Sequence, residues 1–547
     1  METILVAVLG VVVIAAASVL APRLGTASPL VLLATGLVVS LLPFTPEYEI
    51  DPEIILAVLL PPLLYSAAVN MPAMDFRRDF RAISGLSVLL VVISSLVLGG
   101  VFVLLIEGLE YPLAVALGAI VSPTDAVATS IVKRLGVSPR VVTVLEGESL
   151  LNDATALVLL RSAVAATAAG VSLGGVLGAF AWAVVGAVAI GWLVGAVVLR
   201  VRGRIADPAV STALSFTVPF LAFLPAEHLE ASGLVAAVTA GLVTGHGQVH
   251  HLGPRQRMSD HQNWRTLELL LEGVVFLVMG LQVSALVDDV RDEHDGPALA
   301  LAYAVVALAV AMAIRAVYVA VIVLAEKRRQ RRTPELRSTL DAWSARVAET
   351  EHPRAERLRS RLRRVTADVD FYDASRFGRR EGLVLVWAGL RGAVTLAAAQ
   401  TLPTDTEHRS LLILVAFFVA LLSLVVQGGT LGRLVRVLGL GGVPATDAHE
   451  WERLDARMRE VSAEVLAGAD LPEQWRAAAA RVMEHAEQDQ FDLAPVQELR
   501  RDIIEAQREA LLRERADGTF GSAALTRMLD QLDADEIGLE LRRSGDE

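Results

Sequence analysis

Apolar stretches recur along the chain as far as residue 432, most of them long enough to cross a hydrocarbon layer about 30 Å thick. They lie near residues 4–20, 28–42, 54–68, 83–106, 113–132, 141–168, 172–199, 209–225, 231–246, 266–288, 298–325, 381–402 and 409–432, which makes about thirteen spans. Of the 547 residues 54% are hydrophobic but only 5% aromatic, so the apolar surplus comes from Ala, Val and Leu rather than from a large soluble core. The expected fold class is therefore an all-α integral membrane protein.

The loops between the stretches test this reading, because basic residues collect on one side of a membrane. One alternate set of loops carries Arg23; Arg77, Arg78 and Arg81; Lys133, Arg134 and Arg140; Arg200, Arg202 and Arg204; and Arg255, Arg257 and Arg265. The other set carries Glu47, Glu49, Asp51 and Glu53; Glu107 and Glu110; Glu227 and Glu230; Asp288 to Asp295; and Asp405 and Glu407. The alternation supports an odd number of spans, with the N-terminus outside and the C-terminus cytoplasmic in the cell membrane. Met1, Glu2 and Thr3 precede the first run without the basic region of a signal peptide, so this run is expected to be a retained helix.

Two polar regions stand apart. Residues 326–380 form a cytoplasmic insertion with 16 basic and 9 acidic side chains, read as a solvated helical segment or, more sharply, as a surface for anionic lipid. Residues 445–547 hold 25 acidic and 13 basic side chains, which accounts for the whole net charge of −12. Their helical patterning at Val496, Leu499, Ile503, Ile504, Leu511 and Leu512 breaks between Gly518 and Gly521. The expected organisation is a transmembrane domain over 1–440 and a cytoplasmic helical tail over 445–547, the tail an interaction or regulatory module with partners unspecified. The absence of Cys excludes disulfides and thiolate metal sites, and no cofactor or nucleic-acid signature is present.

Ionisable side chains halfway through a bilayer cost several kcal/mol and are functional candidates by default. Asp153 sits about 18 Å into a helix entering from the cytoplasm near residue 141, and Asp125 about 18 Å into the preceding one, entering from outside. Ser149 lies one turn from Asp153 on the same face and offers a second hard oxygen, the ligand type that alkali cations need. Around Asp125 the sequence Val121, Ser122, Pro123, Thr124 interrupts the apolar run with a proline, which removes a donor and frees carbonyls. A counterpart occurs at Ala388 to Ala393, where Arg391 is about 15 Å deep. Interruptions in corresponding spans of opposite direction indicate an inverted repeat with two broken helices. Glu148 and Arg315 are candidates for an ion pair, and Arg161 for snorkelling to the outer surface. Glu268 and Glu272 either line a funnel or pack against a neighbouring helix. His246, His250 and His251 are assigned to a loop.

The segments Leu60 to Tyr65 (LPPLLY), Ser122 to Ala128 (SPTDAVA), Glu146 to Ala154 (EGESLLNDA), Arg315 to Tyr318 (RAVY) and Gly389 to Val394 (GLRGAV) together resemble the motif set of the bacterial cation:proton antiporter-1 family, the NhaP and sodium/hydrogen-exchanger type. The resemblance covers roughly residues 1–440. It implies that Asp153, following Asn152, binds ion and proton in turn, that Thr124, Asp125 and Ser149 complete a Na⁺ or K⁺ site, and that Glu148 pairs with Arg315. It also implies a homodimer with 13 helices and, from Asn152 before the Asp, electroneutral exchange. Many relatives carry an acidic residue where this chain has Ser66, which leaves the choice between Na⁺ and K⁺ open.

The function expected is Na⁺/H⁺ antiport, not enzymatic turnover, with K⁺/H⁺ antiport of the same mechanism as the alternative and Li⁺ as a further substrate. A membrane scaffold acting through its acidic tail is the reading from a different class. No Walker-type loop supports an ATP-driven pump.

Overall fold

The computed structural model describes residues 2–24, 26–42, 52–168, 173–292, 296–348, 353–375, 377–442, 445–468 and 494–545, and all regular structure among them is helical. Glu47, Glu49, Asp51 and Asp295 of the acidic loops lie outside the described residues. Among the described residues, eight helices are long and apolar enough to cross a membrane, and Ser28–Ser40, Ile55–Asn70 and Tyr111–Val121 are shorter apolar ones. The chain divides into two compact units.

The first unit comprises residues 1–252, 259–327 and 377–442. Its helices approach closely where glycine removes the side chain: a Cβ at Gly118 would stand 2.4 Å from the Ser95 carbonyl, and one at Gly99 would stand 2.6 Å from Val115. Without a hydrophobic drive between helices in lipid, such small-residue contacts and interhelical hydrogen bonds hold a bundle together. The first helix, Glu2–Arg23, turns Ile4, Leu5, Val8 and Val12 outward and buries Ile14 and Ala17. That polarity, with apolar side chains outside, suits a hydrocarbon solvent.

Three helices contain π-helical stretches, Ile55–Leu59, Gly85–Leu89 and Ser423–Gly428, each carrying one residue more per turn than an α-helix accommodates. Two helices are interrupted outright, Tyr111–Val121 from Val127–Arg134 and Arg379–Trp387 from Ala393–Gln400. Both interruptions fall where the sequence places them.

Three basic residues assigned to loops, Arg78, Arg140 and Arg202, turn out to be buried. Arg140 donates from Nε to Asp79 Oδ1 at 3.0 Å and from Nη1 to Glu326 Oε1 at 2.9 Å. Arg202, 1% exposed, donates to Asp260 and, from Nε, to the Ser211 carbonyl at 3.1 Å, while Thr212 Oγ1 donates to Asp260 Oδ1 at 2.8 Å. Arg140 lies in the first turn of Pro139–Ala168 and Arg202 in the last turn of Leu173–Arg202, and neighbouring helices supply the carboxylates. His246, His250 and His251 likewise belong to the helix Gly233–His251 rather than to a loop.

The second unit comprises residues 253–258, 328–376 and 443–547. The helix Pro297–Ala348 continues from apolar sequence straight through the basic run, and Pro353–Ala374 follows it. Arg329 lies 4.2 Å over the Tyr372 ring. In the tail, Ala445–Gly468 packs on Ala494–Asp517, burying Leu454, Met458 and Val461 with Leu499, Ile503 and Leu511. Ser522–Gly545 turns back after the glycines at 518 and 521, as the patterning predicts. Arg508 donates to Asp533 Oδ1 at 3.0 Å.

Removing one member of a buried ion pair leaves the other charge stranded, at a cost of about 3–5 kcal/mol. Asp260→Ala is therefore expected to lower the melting temperature in detergent strongly, whereas Asp288→Ala, at an exposed pair, should leave it unchanged. Thermal unfolding of the purified variants measures both.

Candidate functional site

The two interrupted helices meet at their breaks. Pro123 has no amide hydrogen and the helix Tyr111–Val121 stops before it, which leaves backbone groups of the break without partners in their own helix. The partners come from the other break: Asp125 N donates to the Leu390 carbonyl at 2.7 Å, and Arg391 Nε donates to the Val121 carbonyl at 3.1 Å. Arg391 also donates from Nη1 to the Gly389 carbonyl and from its backbone amide to Ser423 Oγ at 2.9 Å. Its guanidinium, 2% exposed, thus collects carbonyls at the C-terminal ends of two half-helices, where a positive charge is favourable.

Asp125 does the converse. Its Oδ1 accepts from Val127 N at 3.1 Å, at the N-terminal end of Val127–Arg134. Its other oxygen presses on Gly392, next to the N-terminal end of Ala393–Gln400: a Cβ on Gly392 would lie 1.3 Å from Oδ2. A side chain there would displace the Asp125 carboxylate.

The helix Pro139–Ala168 passes beside the crossing and carries Glu148, Ser149, Asn152 and Asp153. Glu148 and Arg315, both 1% exposed, form a bidentate pair, Nη2 to Oε2 at 2.8 Å and Nη1 to Oε1, and Arg315 Nε donates to the Leu385 carbonyl at 2.8 Å. The pairing expected from sequence is present. Thr124 Oγ1 donates to Glu148 Oε1 at 3.0 Å and accepts from Asn152 Nδ2 at 2.8 Å, and the same amide reaches the Thr124 carbonyl at 3.0 Å. Ser149 Oγ donates to the Glu146 carbonyl at 3.1 Å, which leaves its lone pairs open.

Asp153 differs from the other acids of this region. It is 8% exposed, it accepts no hydrogen bond and faces no cationic side chain among the described residues, and the nearest charge acting on it is that of Asp125. Asn152 Oδ1, next to it in sequence and 1% exposed, also has no donor. Buried acceptors without donors are rare in folded proteins.

The structure thus gathers Thr124, Asp125, Glu148, Asn152 and Asp153 around the crossing, with Ser149 one turn from Asp153. It adds Gly392, Ser423 and Ser87, whose hydroxyl donates to the Ile83 carbonyl of its own helix at 2.8 Å and lies 3.2 Å from the Glu148 carbonyl. The second glycine of the Gly389 to Val394 motif was a signal for Gly392, but nothing local marked either serine. Arg161 reaches Glu227 at 2.8 Å and is 61% exposed, in keeping with a surface position.

Comparison with known proteins follows the same lines. A family profile described as sodium/hydrogen exchanger, transmembrane, matches residues 8–437. An uncharacterized Na⁺/H⁺ exchanger of Mycobacterium bovis is 31% identical over 98% of this chain and 96% of its own length. The Na⁺/H⁺ antiporter NhaH of Halobacillus aidingensis is 28% identical over 80% of this chain and 98% of its own. Among solved structures, the sodium proton antiporter MjNhaP1 of Methanocaldococcus jannaschii superposes with a TM-score of 0.58 at 18% identity, over 81% of this chain and all of that one, which establishes a shared fold.

Glu148→Gln leaves Arg315 buried without a counter-charge and Thr124 without its anionic acceptor. A fall in stability of about 3–5 kcal/mol is expected from the stranded guanidinium. The double replacement Glu148→Gln with Arg315→Met should recover part of it, as measured by thermal unfolding of both variants.

Proposed function

Because the chain belongs to the sodium/hydrogen exchanger family, we propose that it is a monovalent cation/proton antiporter in which Asp153 carries the proton and the cation in turn. The observation that carries this reading is the contrast between Asp153 and the other buried acids. Glu148, Asp79 and Asp260 each have an arginine within hydrogen-bonding distance, whereas Asp153 has neither donor nor cation among the described residues. An unpaired carboxylate at membrane depth is costly as a bare anion, and either a proton or an alkali cation relieves that cost. The two ligands therefore exclude each other at one group.

In this reading the cation is the substrate and its ligands are oxygens. Asp153 and Asp125 supply charge. Thr124, oriented by Glu148 and Asn152, offers its remaining lone pair, and Ser149 offers another. Asn152 keeps a donor-free amide oxygen beside them. Small hard cations suit such a set. Deprotonation of Asp153 precedes cation binding, and only the loaded, neutralised site crosses the membrane barrier as one bundle of helices moves against the other. Arg391 keeps the crossing intact whichever ion is bound.

The same reading has one transmembrane domain over residues 1–440, with 13 spans in inverted repeats, assembled as a homodimer in the cell membrane with the N-terminus outside. The tail over 445–547 then lies in the cytoplasm. With one titrating acid and Asn152 preceding it, each cation exchanges for one proton.

Proteoliposomes containing the full chain test this. Na⁺, K⁺ and Li⁺ gradients are imposed across a pH series, with the membrane potential either free or collapsed. Exchange is expected with at least one of these ions, unchanged when the potential is collapsed. Asp153→Asn should insert normally and show no cation-driven proton flux, and exchange retained by that variant would overturn the assignment.

A further inference from the structure

Beyond the crossing, the half-helix Ala393–Gln400 runs on through apolar surroundings, with Leu396, Ala397, Ala398 and Ala399 all buried. At the rise of a helix, its last residue stands about 12 Å past Gly392. There a polar contact crosses the apolar layer: Gln400 Nε2 donates to Gln282 Oε1 at 3.0 Å, with Gln282 5% exposed. Gln400 Oε1 is also buried and has no donor. The two amides belong to different groups of helices. Gln282 follows Pro254–Leu281, whose second half is held on Ser28–Ser40 by two facing glycines. A Cβ on Gly36 would stand 2.5 Å from the Leu277 carbonyl, and one on Gly280 2.5 Å from the Leu33 carbonyl. Glu268 and Glu272, nearer the start of Pro254–Leu281, are half-buried. Gln400 ends the broken helix that starts at the crossing, and Arg409 fastens that end, donating to the Gln400 carbonyl at 2.8 Å and to the Leu402 carbonyl at 3.0 Å. The hydrogen bond therefore joins helices that carry the Asp153 site to helices that do not. Next to it the helix Val283–Asp292, with Val283, Leu286 and Val290 buried, packs on Arg409–Leu422.

We propose that the Gln282–Gln400 hydrogen bond is a latch that holds the outer side of the antiporter shut and breaks each time the Asp153 site opens outward. The inference rests on the antiport reading above and on its topology, which puts the C-terminal end of Ala393–Gln400 on the outer side. Apolar contacts such as those of Val283 and Leu286 are non-directional and yield by degrees, whereas a hydrogen bond between two amides is either made or broken. The closed state thereby gains a defined but small advantage. Opening into water costs little, because both amides recover their hydrogen bonds there and the orphaned Gln400 oxygen gains one. A buried ion pair at this place would cost several times more to separate. A pair that only cemented the fold would be expected to have all its buried polar atoms satisfied, and Gln400 Oε1 is not.

Everted and right-side-out membrane vesicles present the cation to one face at a time. Proton flux driven by Na⁺ or K⁺, whichever the wild type exchanges, is measured for the full-length wild type, Gln282→Ala, Gln400→Ala and the double variant. Loss of the latch enlarges the outward-open fraction, so the apparent KM at the outer face is expected to fall about two- to tenfold, the weight of one neutral hydrogen bond. KM at the inner face should hold. The double variant should match the single ones, since all three lose the same bond. An unchanged KM at the outer face, or an equal shift at both faces, makes the pair structural and overturns the latch. The chain has no cysteine, so thiols can be placed without altering other positions. Gln282→Cys combined with Gln400→Cys, bridged by a short bis-methanethiosulfonate, should stop exchange, and a reductant should restore it, while each single Cys variant keeps exchange under the same reagent. Exchange that persists once both thiols are shown to be bridged overturns the proposal as well. Wild-type exchange and its loss in Asp153→Asn are read in the same vesicles, so failure of the wider reading is recognised separately.

Discussion

Two helices that stop halfway and cross at their stopping points leave four helix ends at one place inside an apolar medium. Each end brings backbone groups without partners and a partial charge, positive at the two N-terminal ends and negative at the two C-terminal ones. Arg391 gathers the carbonyls of Val121 and Gly389, while Asp125 caps one N-terminal end and lies against the other. The backbone bond from Asp125 N to the Leu390 carbonyl joins the two breaks directly. Everything else at the site is arranged around this crossing. The Glu148–Arg315 pair holds Thr124 from one side, Arg315 holds the Leu385 carbonyl of the second broken helix, and Asp153 is left without a cationic partner among the described residues.

Much of this was legible in sequence because depth in a membrane is nearly a one-dimensional quantity. A run of Ala, Val and Leu fixes where a helix enters, and the rise per residue then places Asp153, Asp125 and Arg391. Pro123 and the glycines at 389 and 392 announce the breaks for the same reason. Glu148 and Arg315 were matched by the rule that a charge at such depth needs an opposite one.

What was not legible depended on distance across the fold. The Asp125 amide and the Leu390 carbonyl are far apart in the chain, and no local pattern states that they meet. Ser87 and Ser423 look like ordinary small residues of apolar helices until the structure sets them against the Glu148 carbonyl and the Arg391 amide. Arg140 and Arg202 obey the charge alternation that assigns them to loops, yet they are buried, since the sequence does not reveal that Asp79 and Asp260 lie opposite them. Position along the membrane normal is written in composition. Lateral neighbours are not.

The π-helical stretches bear on how such a bundle can deform. Ser423, which accepts from the Arg391 amide, and Ser87, which lies beside the Glu148 carbonyl, both belong to them. A widened turn carries a surplus residue that breaks the regular hydrogen-bond ladder, and such turns recur at functional sites of helices. Compliance is thereby stored in rods that touch the crossing, leaving the rest of the scaffold free to stay stiff.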